Sequence, residues 1–521
     1  MLRRVARFFN TAGPNNPDDH YTLPVLARLP EVRALIDKKL YFVLHAPRQV
    51  GKTTSLLTLA RELTAEGTYT AVLLTMETGA PFASDPGAAE AAILRAWLNY
   101  GLFQLPAELK PPPWPDAPPG SRIGAALTAW AQAAPRPLVI FLDEIDALRD
   151  EALLSVLRQI RGGHAGRPDN FPASLALIGL RDVRDYKVAS GGREHLGTSS
   201  PFNIKAESIT LRNFTSDEVA ELYAQHTAET GQLFLPEAVN RAFHLTQGQP
   251  WLVNALARQL TEVLVKDASR PITLADVDRA KEILILRQDT HLDSLAERLR
   301  EPRIKAILEP MLAGEMLGDV PDDDRRFALD LGLVRRTEQG GLDVANPIYR
   351  EVIARVLASG PRDSLPQIAP TWLKPDGRLD AARLLDAFLT FWRAHGEALL
   401  GTAPYHEIAP HLVLMAFLHR VINGGGSIDR EYALGRGRMD LCLRHGPDTL
   451  AIEIKVWRPK AKDPLAEGLM QLDSYLAGLG LDTGWLVIFD RRSKRKKSGE
   501  TRAESTTTQT PSGRRVIVVR A

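Results

Sequence analysis

The sequence predicts an α/β multidomain protein whose N-terminal part is a doubly wound parallel sheet. Three observations predict this fold. The apolar run 40–44 is followed by a glycine-containing loop and then by an amphipathic helix from about residue 55. Residues 138–142 form a second continuous apolar run, typical of a strand that is buried on both faces. Strands and helices alternate from about 41 to 205, the order that produces a parallel sheet.

The loop after the first strand, residues 46–54, has the sequence Ala-Pro-Arg-Gln-Val-Gly-Lys-Thr-Thr. A strand, a loop and a helix in this order are the context that a phosphate-binding loop requires. Backbone N–H groups of such a loop and the N-terminus of its helix present positive partial charge to a triphosphate. We therefore expect ATP to bind here. The expected nucleotide-binding residues of the loop are Pro47, Arg48, Gln49, Val50, Gly51, Lys52, Thr53 and Thr54.

Two side chains of this loop have specific expected roles. Lys52 would reach the outer phosphates, and the hydroxyl of Thr53 would be a ligand of Mg²⁺. Ala46 stands where the motif ordinarily has its first glycine, whereas Gly51 and the two following residues are those of the motif. We interpret the loop as a functional variant of the motif, in which Ala46 would affect only the affinity for nucleotide.

An acidic pair, Asp143 and Glu144, follows the apolar run 138–142. Parallel α/β sheets bind their ligands at the carboxyl ends of the strands. Asp143 would hold the Mg²⁺ shell, and Glu144 would orient or deprotonate the attacking water. By itself the pair is also compatible with a buried strand followed by an acidic helix start. The loop and the pair together, in this order, predict nucleotide binding.

The chain is predicted to be helical from about 206 to 290, and Pro250 lies early in one of these helices. Short helices and a hairpin near Gly340 then suggest a winged helix, a module that binds DNA or mediates protein contacts, and the sequence leaves both interpretations open. Residues 360–378 contain four prolines and are predicted to be a linker. Near the N-terminus, residues 20–24 would pack against the nucleotide base or form a structured loop.

A second group of reactive side chains is predicted on a C-terminal hairpin. Glu453 and Lys455 share one face of the strand predicted at 449–456, because side chains alternate along a strand. Asp440 lies on the predicted partner strand. The two carboxylates would bind Mg²⁺, which activates water and stabilises charge on a phosphodiester, and Lys455 would position the water or stabilise the transition state. The alternative is an exposed hairpin with its charges on the solvated face.

Further residues extend this pattern. Glu407 precedes a predicted helix at 411–421 and would add a carboxylate to the metal site. Gln471 and Tyr475 are four residues apart on a predicted helix and therefore share a face. The run 491–497 holds six cations in seven residues and would neutralise phosphates of DNA. The alternative is a solvated, disordered loop, which the polar tract 505–509 would support.

Both halves resemble a bacterial and archaeal family of AAA-like ATPases, of the STAND type, fused to a nuclease-superfamily domain of the PD-(D/E)XK kind. The resemblance spans nearly the whole chain. The matching segments are A-P-R-Q-V-G-K-T-T at 46–54, F-L-D-E-I-D at 141–146, S-P-F-N-I at 200–204, G-Q-P at 248–250, N-G-G-G at 423–426, R-E-Y-A-L-G-R-G-R-M-D at 430–440 and E-I-K at 453–455.

This resemblance implies ATP and Mg²⁺ as cofactors, a lid contact at Pro250, and metal-dependent DNA cleavage at Asp440, Glu453 and Lys455. It implies an arginine finger without assigning one, and Arg158, Arg161 and Arg181 are candidates. The predicted domains are an ATPase core at 1–205, a helical lid at 206–292, a winged helix at 293–360, a linker at 361–378 and a nuclease-like domain at 379–521.

Bulk composition adds limits. The 521 residues carry a net charge of +2, so any DNA-binding surface must be a local patch. No apolar run reaches the roughly eighteen residues of a membrane span, and the basic N-terminus lacks the apolar segment of a signal peptide. The single cysteine, Cys442, excludes an intrachain disulfide. Together these features predict a cytoplasmic protein.

The sequence thus predicts an ATPase whose nucleotide state controls a Mg²⁺-dependent DNA endonuclease-like domain. The alternative is an ATP-driven switch or scaffold whose C-terminal domain binds nucleic acid or protein without cleaving it. Partners are expected to be DNA, together with further copies of the chain or other proteins that bind through the winged helix.

Overall fold

The computed structural model describes most of the chain. The described residues are 7–24, 27–181, 204–287, 297–299, 301–312, 317–337, 340–353, 372–402, 413–415, 417–418, 426–434, 437–457, 461–490 and 504–521. The chain divides into two compact units. The first contains Met1–Leu284 and Arg326–Asn346, and the second contains Ile285–Arg325 and Pro347–Ala521. Within the described ranges, no helix is both long and apolar enough to cross a lipid bilayer.

The first unit is built on a five-stranded parallel sheet with the strand order β2-β3-β4-β1-β5. Its strands are β1 (Tyr41–His45), β2 (Thr70–Thr75), β3 (Leu138–Asp143), β4 (Ser174–Gly179) and β5 (Lys205–Thr210). Every residue of β2, β3 and β4 is buried, as their continuous apolar sequences require. This parallel sheet with its covering helices fits the α/β fold of P-loop NTPases.

Helices cover both faces of this sheet. They are α1 (Pro30–Asp37), α2 (Lys52–Ala65), α3 (Pro86–Gln104), α4 (Arg122–Ala133) and α5 (Asp150–Gly163). Side chains such as Val43 and Ile140 pack with α3, α4 and α5 in one core cluster. Their strand neighbours Phe42 and Phe141 pack with α1 and α2 in another. The alternation of side chains along each strand thus divides the apolar residues between two cores.

Helices dominate the chain after β5, as predicted. We call the helices α6 (Ser216–Thr230), α7 (Pro236–Thr246), α8 (Pro250–Arg258) and α9 (Leu274–Arg287) the lid. The Thr215 side chain accepts from the N–H of Glu218, and the Glu218 side chain accepts from the N–H of Thr215. This capping box satisfies donors at the first turn of α6 and defines where that helix begins.

The predicted winged-helix range contains α10 (Pro302–Leu312), α11 (Asp322–Asp330) and the antiparallel pair β6 (Val334–Arg336) and β7 (Leu342–Val344). The hairpin therefore occurs where the sequence predicts it. Residues 326–346 belong to the compact unit of the phosphate loop, whereas 285–325 belong to the other unit. The range 293–360 is thus divided between the two units.

The second unit contains a six-stranded sheet with the strand order β12-β13-β11-β10-β9-β8. Its elements are α12 (Ala381–Thr402), β8 (Gly426–Leu434), β9 (Gly437–His445), β10 (Asp448–Trp457), α13 (Leu465–Leu479), β11 (Thr483–Asp490), β12 (Glu504–Gln509) and β13 (Arg515–Arg520). The polar tract 505–509 is a strand paired with β13, so it gives no support to a disordered loop. Threonines favour this edge position because β-branched side chains suit a strand. The basic run 491–497 lies outside the described residues.

Candidate functional site

The phosphate loop connects β1 to α2, as its sequence predicts. Gly51 precedes the first residue of α2 with φ of 95°, and Gln49 also has a left-handed backbone, with φ of 60°. A positive φ is readily adopted by glycine, which explains the requirement for Gly51 directly before Lys52. No side chain caps the N-terminus of α2. The first N–H groups of this helix are therefore available to an anion.

Lys52 lies in the first turn of α2 and folds back over the loop. Its Nζ donates to Ala46 O at 2.7 Å and to Pro47 O at 2.9 Å. Burial lowers the pKa of the Lys52 ammonium, and the nearby carboxylates of Asp143 and Asp146 oppose that shift. The two carbonyl oxygens accept from the ammonium in the manner expected of phosphate oxygens.

Thr53 and Asp143 are brought together although they lie far apart in sequence. Thr53 Oγ1 donates to Asp143 Oδ2 at 2.7 Å. Asp143 ends β3, is 5% exposed and accepts the N–H of Glu144 at Oδ1 at 2.9 Å. Burial raises the pKa of the Asp143 carboxyl, and the hydrogen bond from Thr53 acts in the opposite direction. The predicted pairing of the loop with the acidic strand end is therefore present in the geometry.

Glu144 follows Asp143 with a left-handed backbone, at φ of 59°. Its Oε2 accepts from Thr75 Oγ1 at 3.1 Å. Partial burial raises the pKa of Glu144, and the carboxylates of Glu77 and Asp143 raise it further. The sequence interpretation did not include Thr75 and Glu77. The position of Thr75 at the end of an apolar run, in register with Asp143, could have indicated that it lies beside the acidic pair.

The donors at this place suit Mg²⁺. The Thr53 hydroxyl and the Asp143 carboxylate are hard oxygen ligands, the kind this ion prefers. No group of three His, Cys, Asp or Glu side chains gathers for a metal among the described residues. Mg²⁺ at a nucleotide site needs only one or two protein ligands, because water and phosphate oxygens supply the rest. The oxygens of Thr53 and Asp143 are therefore sufficient protein ligands for a nucleotide-bound Mg²⁺.

The other predicted nucleotide-binding residues occupy varied environments. Arg48 and Gln49 are exposed and Val50 is buried. Thr54 Oγ1 accepts from the N–H of Asn15 at 3.1 Å, which ties the N-terminal segment to α2. Pro47 packs so closely under Gly332 that a Cβ at that glycine would lie 2.7 Å from the proline ring. Residues 326–346 therefore reach the loop itself.

Pro250 is buried in the first turn of α8. Its neighbour Gln249 contacts the phosphate loop. Gln249 Nε2 donates to Gln49 O at 3.4 Å, and its Oε1 accepts the N–H of Leu252 at 2.6 Å. Helix capping explains a polar residue at this position, but only the tertiary structure shows the contact with the loop.

Residues 20–24 form part of a structured segment. Tyr21 is fully buried, its ring lies 4.7 Å from that of Phe9, and its hydroxyl lies 3.2 Å from His226 Nδ1. His20 Nδ1 accepts the N–H of Asn16 at 2.8 Å. These contacts support the loop interpretation.

The three arginine candidates lie in two places. Arg158 and Arg161 are exposed on α5. Arg181 follows β4, and its guanidinium carbon lies 3.7 Å from the centre of the Phe327 ring. The arginine finger therefore stays unassigned.

The C-terminal group is built on β10. Lys455 Nζ lies 3.1 Å from Glu453 Oε1, as expected for residues on one face of a strand. The Glu453 side chain is only 3% exposed, which contradicts the alternative in which the hairpin carries its charges on a solvated face. Ala451, two residues earlier, belongs to the same core cluster as Leu472 of α13, so the charged face is the one that this helix covers.

Asp440 lies on β9, directly before Leu441, the last residue of the register between β9 and β10. The register pairs Ile452 with Leu441, so Asp440 is one position further along, where the ladder would bring it opposite Glu453. This placement is one of backbone register. Glu407 lies outside the described residues.

Helix α13 contributes to the same group. Glu467 Oε1 lies 3.6 Å from Lys455 Nζ, a contact that the sequence interpretation missed. Its spacing of four residues from Gln471 could have suggested it, because such residues share a helix face. Tyr475 is buried, and Gln471 Oε1 is buried with no hydrogen-bond partner among the described residues.

Comparisons with known proteins give structural neighbours only. No protein-family model matches the chain. No curated protein matches it either.

Several solved structures resemble the chain. The Walker-type ATPase of Pyrococcus abyssi has 14% sequence identity, covers 66% of this chain and 99% of its own, and has a TM-score of 0.45. The Thermotoga maritima RuvB Holliday junction branch migration motor has 16% identity, covers 63% and 93%, and has a TM-score of 0.35. Cdc6p of Pyrobaculum aerophilum has 12% identity, covers 76% and 94%, and has a TM-score of 0.34. These scores lie below 0.5, so the interpretation of the loop rests on its own geometry.

Proposed function

We propose that the chain binds ATP with Mg²⁺ at the loop 46–54 and hydrolyses it. The observation that carries this proposal is the 2.7 Å hydrogen bond between Thr53 Oγ1 and Asp143 Oδ2. This bond joins the hydroxyl of the residue that follows Lys52 to the carboxylate of the residue that ends β3. A phosphate loop and a strand-end acid in contact form a site for a metal-bound triphosphate.

Each residue of this site has a definite task. Lys52 exchanges its bonds to Ala46 O and Pro47 O for bonds to the outer phosphates. Thr53 and Asp143 hold Mg²⁺, which when bound neutralises charge on the phosphates. Glu144, at the edge of the same strand, orients or deprotonates the attacking water. The hydrogen bond from Thr75 Oγ1 fixes the position of the Glu144 carboxylate beside Asp143.

Nucleotide binding is tested with Lys52→Ala and the surface control Lys266→Ala. Titration of the full chain with a fluorescent ATP analogue and Mg²⁺ measures affinity, and phosphate release measures hydrolysis. We expect the control to match the wild type and Lys52→Ala to bind at least about tenfold more weakly, because it lacks charged hydrogen bonds to phosphate. Equal affinity of Lys52→Ala and the wild type would contradict the proposal.

We further propose that the nucleotide state controls a Mg²⁺-dependent DNA endonuclease site at Glu453, Lys455, Asp440 and Glu407. The burial of Glu453 beside Lys455 favours this, because a carboxylate is rarely retained in such a place without a binding or structural role. In this proposal the carboxylates hold the metal and Lys455 positions water. The rival function is an ATP-driven switch or scaffold whose C-terminal domain binds DNA or protein without cutting.

Plasmid cleavage with Mg²⁺ or Mn²⁺ separates the two functions. We expect the wild type to cut, and Asp440→Ala and Glu453→Gln to lose cutting while circular dichroism shows that they remain folded. Equal cutting by wild type and variants indicates a contaminant and favours the switch. Control by nucleotide is tested by adding ATP, a nonhydrolysable analogue, or Lys52→Ala. Cleavage that does not respond to any of them would exclude that control.

A further inference from the structure

Two polar side chains from outside the phosphate loop hold adjacent carbonyl groups of that loop. Arg28 Nη2 donates to Val50 O at 3.0 Å, and Gln249 Nε2 donates to Gln49 O at 3.4 Å. Both side chains belong to buried residues, with 8% and 5% of their surface exposed. The carbonyls of the two residues that precede Gly51 are therefore bonded by side chains from outside the loop. We call the side of the loop that faces Arg28 and Gln249 its outer side.

Both side chains are also bonded to the chain that forms the lid. Arg28 Nε donates to Arg212 O at 3.1 Å, and Nη2 donates to the same oxygen. Arg212 lies four residues before the first residue of α6. Gln249 caps α8 through the N–H of Leu252. Arg28 thus connects a loop carbonyl with the segment that leads into α6, and Gln249 connects another with the first turn of α8.

Phe214 joins these two connections. The Arg28 guanidinium carbon lies 4.8 Å from the centre of the Phe214 ring. The N–H of Phe214 donates to Gly248 O at 2.9 Å, and the backbone of Gly248, at φ of 70°, leaves no room for a side chain against Phe214 O. Because Gly248 directly precedes Gln249, both connections converge on one packed element. Burial lowers the pKa of Arg28 to about 10, so its charge persists at neutral pH.

The direction of the held carbonyls has a consequence for the bound anion. In a planar trans peptide the C=O and N–H groups point in opposite directions. Holding Gln49 O and Val50 O from outside therefore turns the N–H groups of Val50 and Gly51 toward the inner side of the loop. Lys52 holds two further loop carbonyls, Ala46 O and Pro47 O, and would release them on reaching phosphate.

We propose that Arg28 and Gln249 are positioning residues that couple the phosphate loop to the lid. They keep the loop N–H groups directed at the nucleotide. When Lys52 releases Ala46 O and Pro47 O, they transmit the resulting shift of the loop backbone to α6 and α8. The inference rests on the proposed nucleotide binding at this loop. It goes beyond that proposal because it assigns a role in the response to nucleotide to two residues that lie outside the phosphate loop.

Hydrogen–deuterium exchange of lid amides tests this coupling in the full chain, with and without a nonhydrolysable ATP analogue and Mg²⁺. Arg28→Lys keeps the charge but removes the guanidinium fork, in which Nε and Nη2 donate to Arg212 O while Nη2 also donates to Val50 O. Gln249→Glu keeps the acceptor that caps Leu252, removes the donor to Gln49 O and places a carboxylate oxygen beside that carbonyl. Arg33→Lys is the matched control, because Arg33 forms surface ion pairs with Asp37 and Glu66.

We expect nucleotide to slow lid exchange in the wild type and in Arg33→Lys. In Arg28→Lys and Gln249→Glu we expect that slowing to fall by at least half at saturating nucleotide. We expect affinity to weaken no more than about tenfold, since each substitution alters hydrogen bonds to a single loop carbonyl. At saturating nucleotide every variant is fully bound, so a smaller slowing reports weaker coupling and not weaker affinity. A merely structural role would alter the exchange of lid amides equally with and without nucleotide.

Full slowing of the lid in both variants would overturn the proposal. Should Arg28→Lys fail to fold, Gln249→Glu decides by itself, because its cap is retained. A wild type that binds nucleotide without any change in lid exchange overturns the coupling but leaves the proposed function intact. A wild type that binds no nucleotide overturns both.

Discussion

The two candidate sites differ in how they are assembled. At the phosphate loop, the groups that meet come from α2, from the end of β3 and from the start of α8, as the contacts Thr53–Asp143 and Gln249–Gln49 show. At the C-terminal group, Glu453 and Lys455 are neighbours on one strand, and Glu467 reaches Lys455 from α13. The first site therefore depends on the whole unit being folded, whereas the second depends chiefly on strand register.

The difference teaches where each site can be damaged. Hydrogen bonds to backbone carbonyls support the phosphate loop, so single side-chain changes there should alter function more than stability. The second site buries a carboxylate in an apolar core beneath α13, so changes there should alter stability as well. The following predictions test this contrast, from the largest expected effect to the smallest.

Glu144→Gln should abolish most hydrolysis while leaving nucleotide affinity nearly unchanged. The substitution removes the carboxylate that would orient or deprotonate water, and general-base catalysis contributes roughly 10²–10⁴-fold to rate. Phosphate release under saturating ATP measures kcat, and titration with the fluorescent analogue measures Kd. Glu151→Gln, at an exposed position of α5, is the control. A kcat within about threefold of the wild type would contradict the assignment.

Lys455→Met should destabilise the second unit by roughly 3 kcal/mol, because it removes the ion-pair partner of the buried Glu453. Urea unfolding followed by circular dichroism measures the effect. The control Lys462→Met changes an exposed lysine near α13 and should leave the free energy of unfolding within about 0.5 kcal/mol. If both variants unfold alike, the buried pair contributes nothing and the contrast between the sites fails.

Asp143 should make the stability of the nucleotide-free protein depend on pH. Its pKa is raised above the ordinary value of 3.8 by burial, so the folded chain holds the proton more tightly than the unfolded chain. The stabilisation is complete below pH 3.8 and is lost as pH rises through the raised pKa. Denaturant unfolding across this window should show a flatter profile for Asp143→Asn. Identical profiles would mean that the carboxyl is not perturbed.

Ala46→Gly should have the smallest effect. Ala46 is not among the residues of positive φ, so the loop does not need a glycine at this position. We expect Kd for the nucleotide to change by less than about threefold. The free energy of unfolding should fall by about 0.4–1 kcal/mol, because glycine gains freedom in the unfolded chain. A tenfold tighter Kd would instead show that the alanine limits binding.

The sequence predicted the parallel sheet because strands buried on both faces are continuously apolar, and β2, β3 and β4 are buried throughout. It also predicted that loop and acid would meet. The polar strand β12 was missed because its threonines and serine resemble a loop, and only its pairing with β13 makes it a strand. The contact of Gln249 with the loop was missed because local sequence shows a cap and not its distant partner.

The sequence alone determined which side chains have the chemistry for a phosphate loop, for a strand-end acid and for a charged pair on one strand. Short-range rules suffice for these, because backbone alternation and helix periodicity are local. Only the tertiary structure decided that Glu453 is buried, that Gly332 covers Pro47, and that Arg28 and Gln249 bond the loop from outside. Those outcomes depend on long-range packing, which places segments together whose sequences carry no mark of each other.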